Sequence, residues 1–126
     1  MLNLPTLGEM DRSMRGRMFL CAAAADMRKG FDSLAALVRD HLGHDPLCGD
    51  LFLFVSRRRD RVKILYWDGD GYAIWYKRLE EGTFRLPAIG ADHRSVQMRA
   101  SELAMLLEGI DLKALRRSPR LKLKNN

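Results

Sequence analysis

Cysteine is scarce in this chain: two of its 126 residues, Cys21 and Cys48, each among apolar neighbours. A disulfide framework is therefore excluded, and the pattern fits inert thiols in a reducing cytoplasm. No apolar run approaches the roughly 18 residues that span a bilayer. Glu9, Asp11, Arg12 and Arg15 interrupt the stretch where a secretory signal would carry its apolar segment. A cytoplasmic protein without a membrane partner is expected. No glycine-rich phosphate loop occurs, and neither Ser33 nor Ser56 sits in a nucleophile elbow. His41, His44 and Cys48 lack a fourth ligand at zinc spacing. Asp68 and Asp70 begin like a calcium loop, but the later ligands are missing, so turn chemistry explains them. No metal, no cofactor and no enzymatic activity are expected.

Acidic residues are also missing from one place. Residues 113–126 carry Lys113, Arg116, Arg117, Arg120, Lys122 and Lys124 and no acid, so the formal charge of +6 belongs to this tail. The preceding 112 residues balance at sixteen charges of each sign. Such a tail can hold phosphates through counterion release, or simply be solvated. Residues 1–16, broken by Pro5, Gly8 and Gly16, read as a loose arm, and 17–112 as one domain.

What is present is a run of short ordered elements. Arg17, Met18, Phe19, Leu20 and Cys21 resemble a first strand. Asp26 is placed to cap a helix whose apolar face is Met27, Phe31, Leu34, Val38 and Leu42, with Gly43 as its stop. Leu51–Val55 is continuously apolar and predicts a central strand. From Arg61 the pattern alternates: Val62, Ile64 and Tyr66 face one way, Lys63, Leu65 and Trp67 the other. Asp68, Gly69, Asp70 and Gly71 form a turn into an alternating strand from Tyr72. Thr83, Phe84, Arg85 and Leu86 predict a shorter strand ended by Pro87, and 88–97 a polar connection. Leu103, Leu106, Leu107 and Ile110 mark a second amphipathic helix. The expected fold is α+β: a single antiparallel sheet, made of a first strand and a four-stranded meander, with two main helices packed on it.

Candidate contacts follow from the charges. Arg57, Arg58, Arg59, Arg61 and Lys63 concentrate positive charge at one hairpin loop, offset only by Asp60. Guanidinium groups match phosphate oxygens in pairs, so this loop and the tail residues Arg116, Arg117, Arg120, Lys122 and Lys124 are the candidate nucleic-acid contacts. A solvated hairpin tip that discourages aggregation is the competing reading. The aromatics of the meander read as core or as partner interface, with Trp67, Trp75 and Lys77 the candidate partner contacts. Arg28 and Lys29, in what would be the first helical turn, oppose the helix dipole. Either an anion contact or an ion pair with Asp32 would account for them.

Three blocks carry a resemblance: Asp26 to Asp32 (DMRKGFD), residues 63–87, and residues 103–111 (LAMLLEGID), in this order. Together they resemble TnpB, the small accessory protein of the "sixty-six" type of bacterial insertion sequences, distinct from the RNA-guided nuclease of the same name. The resemblance spans roughly residues 17–112. It implies an accessory role in transposition beside a separate, larger transposase, assigns no catalytic residues, and leaves DNA binding and transposase binding both open. Family members often place Ser or Thr, then Pro, before the last helix; here Arg99 and Ala100 take those places. Two roles follow: an accessory factor contacting DNA through loop and tail, or an adaptor that binds or stabilises the transposase.

Overall fold

The computed structural model describes residues 17–108. The N-terminal arm, Ile110 and the basic tail lie outside the described residues. The elements are β1 (Met18–Cys21), α1 (Phe31–Ala36), a π-helical continuation Leu37–Leu42, β2 (Leu51–Val55), β3 (Arg61–Trp67), β4 (Tyr72–Arg78), β5 (Ser95–Met98) and α2 (Ala100–Leu107). The five strands form one sheet in the order β4-β3-β2-β1-β5. With a helix on each face, the fold is α+β.

Strand alternation divides the core in two. Met18, Leu20, Leu51, Leu53, Val62, Ile64 and Tyr66 point to the face covered by Leu103 and Leu106 of α2. Phe19, Cys21, Phe52, Phe54 and Leu65 point to the face covered by Leu34, Ala35 and Val38 of α1. All five residues of β2 are buried, because helices cover it on both sides. That is why its sequence is an unbroken apolar run rather than an alternation. Burial of Cys21 and Cys48 pushes both thiols above the usual range, as inert thiols require.

The sheet is mixed, which corrects the antiparallel expectation. β1 pairs in parallel with β2, Met18 opposite Leu51, and antiparallel with β5, Met18 opposite Met98. The reason is the intervening helix: α1 carries the chain back to the end where β1 began, so β2 must run the same way as β1. Only β2, β3 and β4 form a meander. The expected strand at residues 83–86 is absent. Phe84 is 1% exposed and anchors that segment to the core, while its N–H donates to the Arg59 carbonyl at 2.7 Å. One buried side chain between exposed neighbours imitated strand alternation. The fifth strand is Ser95–Met98, which takes the last three residues of the stretch expected to be a connection and the methionine after it.

The first helix also starts later than expected. Asp26 does not cap it. Its carboxylate accepts the Arg28 N–H at 2.9 Å and its carbonyl the Lys29 N–H at 3.1 Å, closing a separate turn. A short carboxylate readily bonds to the backbone two residues on, and here that competes successfully with helix. Gly30 occupies the cap position, and Met27 packs against the α1 face of the core without being helical. The stop at Gly43 is as expected, in the left-handed region at φ 72°. At α2, the Arg99 N–H donates to Glu102 Oε1 at 2.8 Å, so the helix start is closed without Ser or Thr.

Two long-range polar links hold this frame. Just before the parallel strands, Arg17 pairs with Asp50 at 2.7 Å; the carboxylate is fully buried and the Arg17 side chain 49% exposed. Asp50 Oδ2 also accepts the Cys48 thiol at 3.1 Å, and the Leu51 N–H donates to the Arg17 carbonyl at 3.1 Å. On β3, the Lys63 ammonium donates to the carbonyls of Met27 at 2.7 Å and Lys29 at 2.8 Å, tying the 26–30 turn to the sheet. It also lies 5.0 Å from the centre of the Tyr76 ring.

Arg17→Ala leaves the Asp50 carboxylate buried without its counter-ion and is expected to cost roughly 2–4 kcal/mol in urea unfolding. Lys63→Met strands two part-buried carbonyls and is expected to cost about 1–3 kcal/mol in the same measurement.

Candidate nucleic-acid interface

The hairpin between β2 and β3 begins as a tight turn in which the Arg59 N–H donates to the Ser56 carbonyl at 2.9 Å. Closing it places Arg59 at φ 63°, the one left-handed non-glycine among the described residues. A Cβ there costs roughly 1–2 kcal/mol, and glycine would avoid that cost. The loop is nonetheless firmly held. The Ser56 N–H donates to the Arg61 carbonyl at 2.9 Å, Leu79 N–H to the Asp60 carbonyl at 2.8 Å, and Phe84 N–H to Arg59. The one acid of the loop is turned inward, its Oδ1 accepting the Ser56 hydroxyl at 3.1 Å. The side chains of Arg57, Arg58 and Arg59 are exposed, and no carboxylate among the described residues pairs with them. The result is three adjacent cations on a pinned scaffold.

Because β1 and β2 are parallel, the residues that leave them emerge at the same end of the sheet. Residues 22–30 and 56–60 therefore meet, joined by a hydrogen bond from the Ala25 N–H to the Val55 carbonyl at 2.9 Å. Between them opens a cleft of about 530 Å³, lined by Cys21, Ala23, Ala24, Ala25, Asp26, Lys29, Leu37, His41 and Arg57. A second hollow of about 290 Å³ shares Ala25 and Arg57 with it and extends past Ser56, Arg58 and Arg61. Asp26 contributes little net charge here. Arg28 holds it through Nε and Nη2 at 3.1 and 2.7 Å, and these bonds keep its carboxyl well below the usual range. Arg94, across the same end of the sheet, donates to the His41 carbonyl at 3.1 Å.

The structure thus brings Arg57, Arg58, Arg59 and Arg61 together at one end, and separates Lys63 from them in role. The Lys63 ammonium is occupied by two backbone carbonyls. Arg116, Arg117, Arg120, Lys122 and Lys124 lie outside the described residues. Trp75 is half-buried against the α2 side of the core, and Trp67 meets Tyr72 edge-on at 5.2 Å. Lys77 donates to the Leu107 carbonyl, where a cation suits the carboxyl end of α2. Arg28 pairs with Asp26, not Asp32. The His44 ring packs at a 33° tilt against Phe19 at 4.2 Å, and no metal-binding group occurs among the described residues. No described helix is long and apolar enough to cross a membrane. Sequence reasoning missed Lys29 and the alanines 23–25 as cleft residues. Only the pairing of Arg28 with Lys29 before a glycine gave any signal of them.

Comparison with known proteins agrees with the three sequence blocks. Residues 16–117 match the family described as IS66 Orf2 like protein. The uncharacterized protein y4jC of Sinorhizobium fredii (strain NBRC 101917 / NGR234) is 38% identical over 105 residues, 82% of this chain and 86% of that protein. The uncharacterized protein y4hO of the same strain is 37% identical over 95 residues, covering 75% of this chain and 81% of its own length. No solved structure matches the chain significantly. The chain belongs to the IS66 Orf2-like family, the accessory proteins of an insertion-sequence type.

Proposed function

We propose that this chain serves transposition as a non-catalytic accessory factor that contacts DNA, with the phosphate backbone lying across the arginine loop. The observation that carries the reading is the run Arg57, Arg58, Arg59. These are three exposed guanidinium groups without carboxylate partners among the described residues, on a turn whose left-handed Arg59 would be cheaper as glycine. Unfavourable backbone geometry kept for the sake of a side chain is a recurrent mark of functional loops. Arg61 adds to the same patch, and the tail cations Arg116, Arg117, Arg120, Lys122 and Lys124 are further candidate phosphate contacts. Contacts of this kind position a duplex and carry no base information, so affinity for any duplex should be steeply salt dependent.

The adaptor reading has less to stand on. Of its expected contacts Trp67, Trp75 and Lys77, the last two are used to seat α2. Of the aromatics on β4, Tyr76 is the most open, at 48% exposure.

Replacing Arg57, Arg58 and Arg59 together with Ala is expected to weaken duplex binding and to flatten the plot of log affinity against log salt by about 2–3 units. Unchanged affinity and slope in a salt-titrated binding assay would remove the loop from the interface. Arg59→Gly separates backbone from side chain. It is expected to raise stability by up to ~1 kcal/mol in thermal unfolding while weakening DNA binding. Improved stability with unchanged binding would mean that Arg59 has no DNA role.

A further inference from the structure

The arginine loop is one wall of a cleft that duplex phosphates alone do not require. We infer that this cleft binds an unpaired nucleotide, its phosphate against Lys29 and Arg57 and its base between the alanine run and Leu37. The inference rests on the DNA-contact reading and adds to it a preference for single-stranded or frayed DNA.

Three features support it. The first is position: the cleft lies beyond the carboxyl ends of the parallel strands β1 and β2, beside β1, where the neighbour on the other side runs antiparallel. Chains leaving parallel strands diverge there, and open sheets of this kind take ligands at that crevice. The second is size and lining. About 530 Å³ suits a small ligand, and the adjoining 290 Å³ hollow prolongs it along the arginine loop. Ala23, Ala24 and Ala25 carry only methyl groups, which leaves apolar space, and Leu37 and His41 complete the lining. A paired base is hidden in its stack and cannot enter such space. An unpaired base presents a face that stacks on any apolar or aromatic wall.

The third is charge. Lys29, Arg57, Arg58 and Arg61 line the two hollows, and the acids beside them have partners of their own: Asp26 is held by Arg28, and Asp60 accepts the Ser56 hydroxyl. Four cations line the two hollows against one carboxylate that has no cationic partner among the described residues, Asp60, so the field inside is positive on balance. The Lys63 bonds to the carbonyls of Met27 and Lys29 hold the outer wall in place, so the cleft is preformed.

The test compares a short oligothymidylate with a duplex of equal length in competition binding at fixed salt. The full chain and an Ala24→Trp variant, which fills the cleft from an exposed position, are both measured. The full chain should bind the single strand more tightly per nucleotide. The variant should lose about tenfold or more of single-strand affinity while keeping duplex affinity within about twofold. Methyl NMR of the unsubstituted chain with thymidine monophosphate should shift Ala23, Ala24, Ala25 and Leu37, a readout that does not depend on the variant folding. No single-strand preference, or no methyl shift at saturating nucleotide, overturns the cleft assignment. If duplex binding then still depends on Arg57, Arg58 and Arg59, the DNA-contact reading stands and only the nucleotide cleft fails. If those arginines are also dispensable, both fail together.

Discussion

The parallel pairing of β1 with β2 is the constraint on which the rest of this structure depends. Strands joined by a tight turn run antiparallel; parallel strands need a crossover, and here α1 supplies it. Once β1 and β2 run together, their starts lie side by side, which is what lets Arg17 reach Asp50. Their ends also lie side by side, which brings residues 22–30 against the arginine loop. The far edge of β1 is left open, and β5 returns along it antiparallel. An all-antiparallel meander would have scattered the same residues to opposite ends of the sheet.

Charge in this protein sorts by partner rather than by number. Arg17, Arg28, Lys63 and Lys77 are cations bound to carboxylates or carbonyls within the fold. Arg57, Arg58 and Arg59 are cations that the fold displays without a carboxylate partner among the described residues. The described part of the molecule is almost neutral by composition, yet one end of it is distinctly positive, because Arg57, Arg58, Arg59 and Arg61 gather there around the single acid Asp60. Asp26, paired with Arg28, cancels that arginine alone, and Asp60 by itself is outnumbered by the arginines beside it.

Much of the fold was legible from local chemistry. Alternation in β3 and β4, the continuous apolar run of β2, the Asp68 to Gly71 turn and the glycine stop of α1 all rest on patterns a few residues long. The misses have two physical origins. Asp26 carries every mark of a helix cap, but its carboxylate is captured by Arg28 two residues on. Residues 83–86 look like a strand because Phe84 is pulled into the core. Ser95, Val96 and Gln97 look like a connection, and with Met98 become a strand because β1 offers them an open edge. In each case a contact distant in sequence, or a competing short-range bond, outweighed local propensity.

The same division holds for the candidate site. The sequence by itself determined that the chain forms a layered α+β domain, that arginines cluster at a hairpin, and which family it resembles. Each of these depends on residues adjacent in sequence or repeating with a fixed period. Only the tertiary structure decided that Lys63 is a brace rather than a free cation, that Lys29 and three alanines face the arginine loop, and that a cleft lies between them. Those outcomes require the 26–30 turn, lying before α1, to meet the loop after β2. That meeting follows from strand direction, which the crossover enforces and no local pattern encodes.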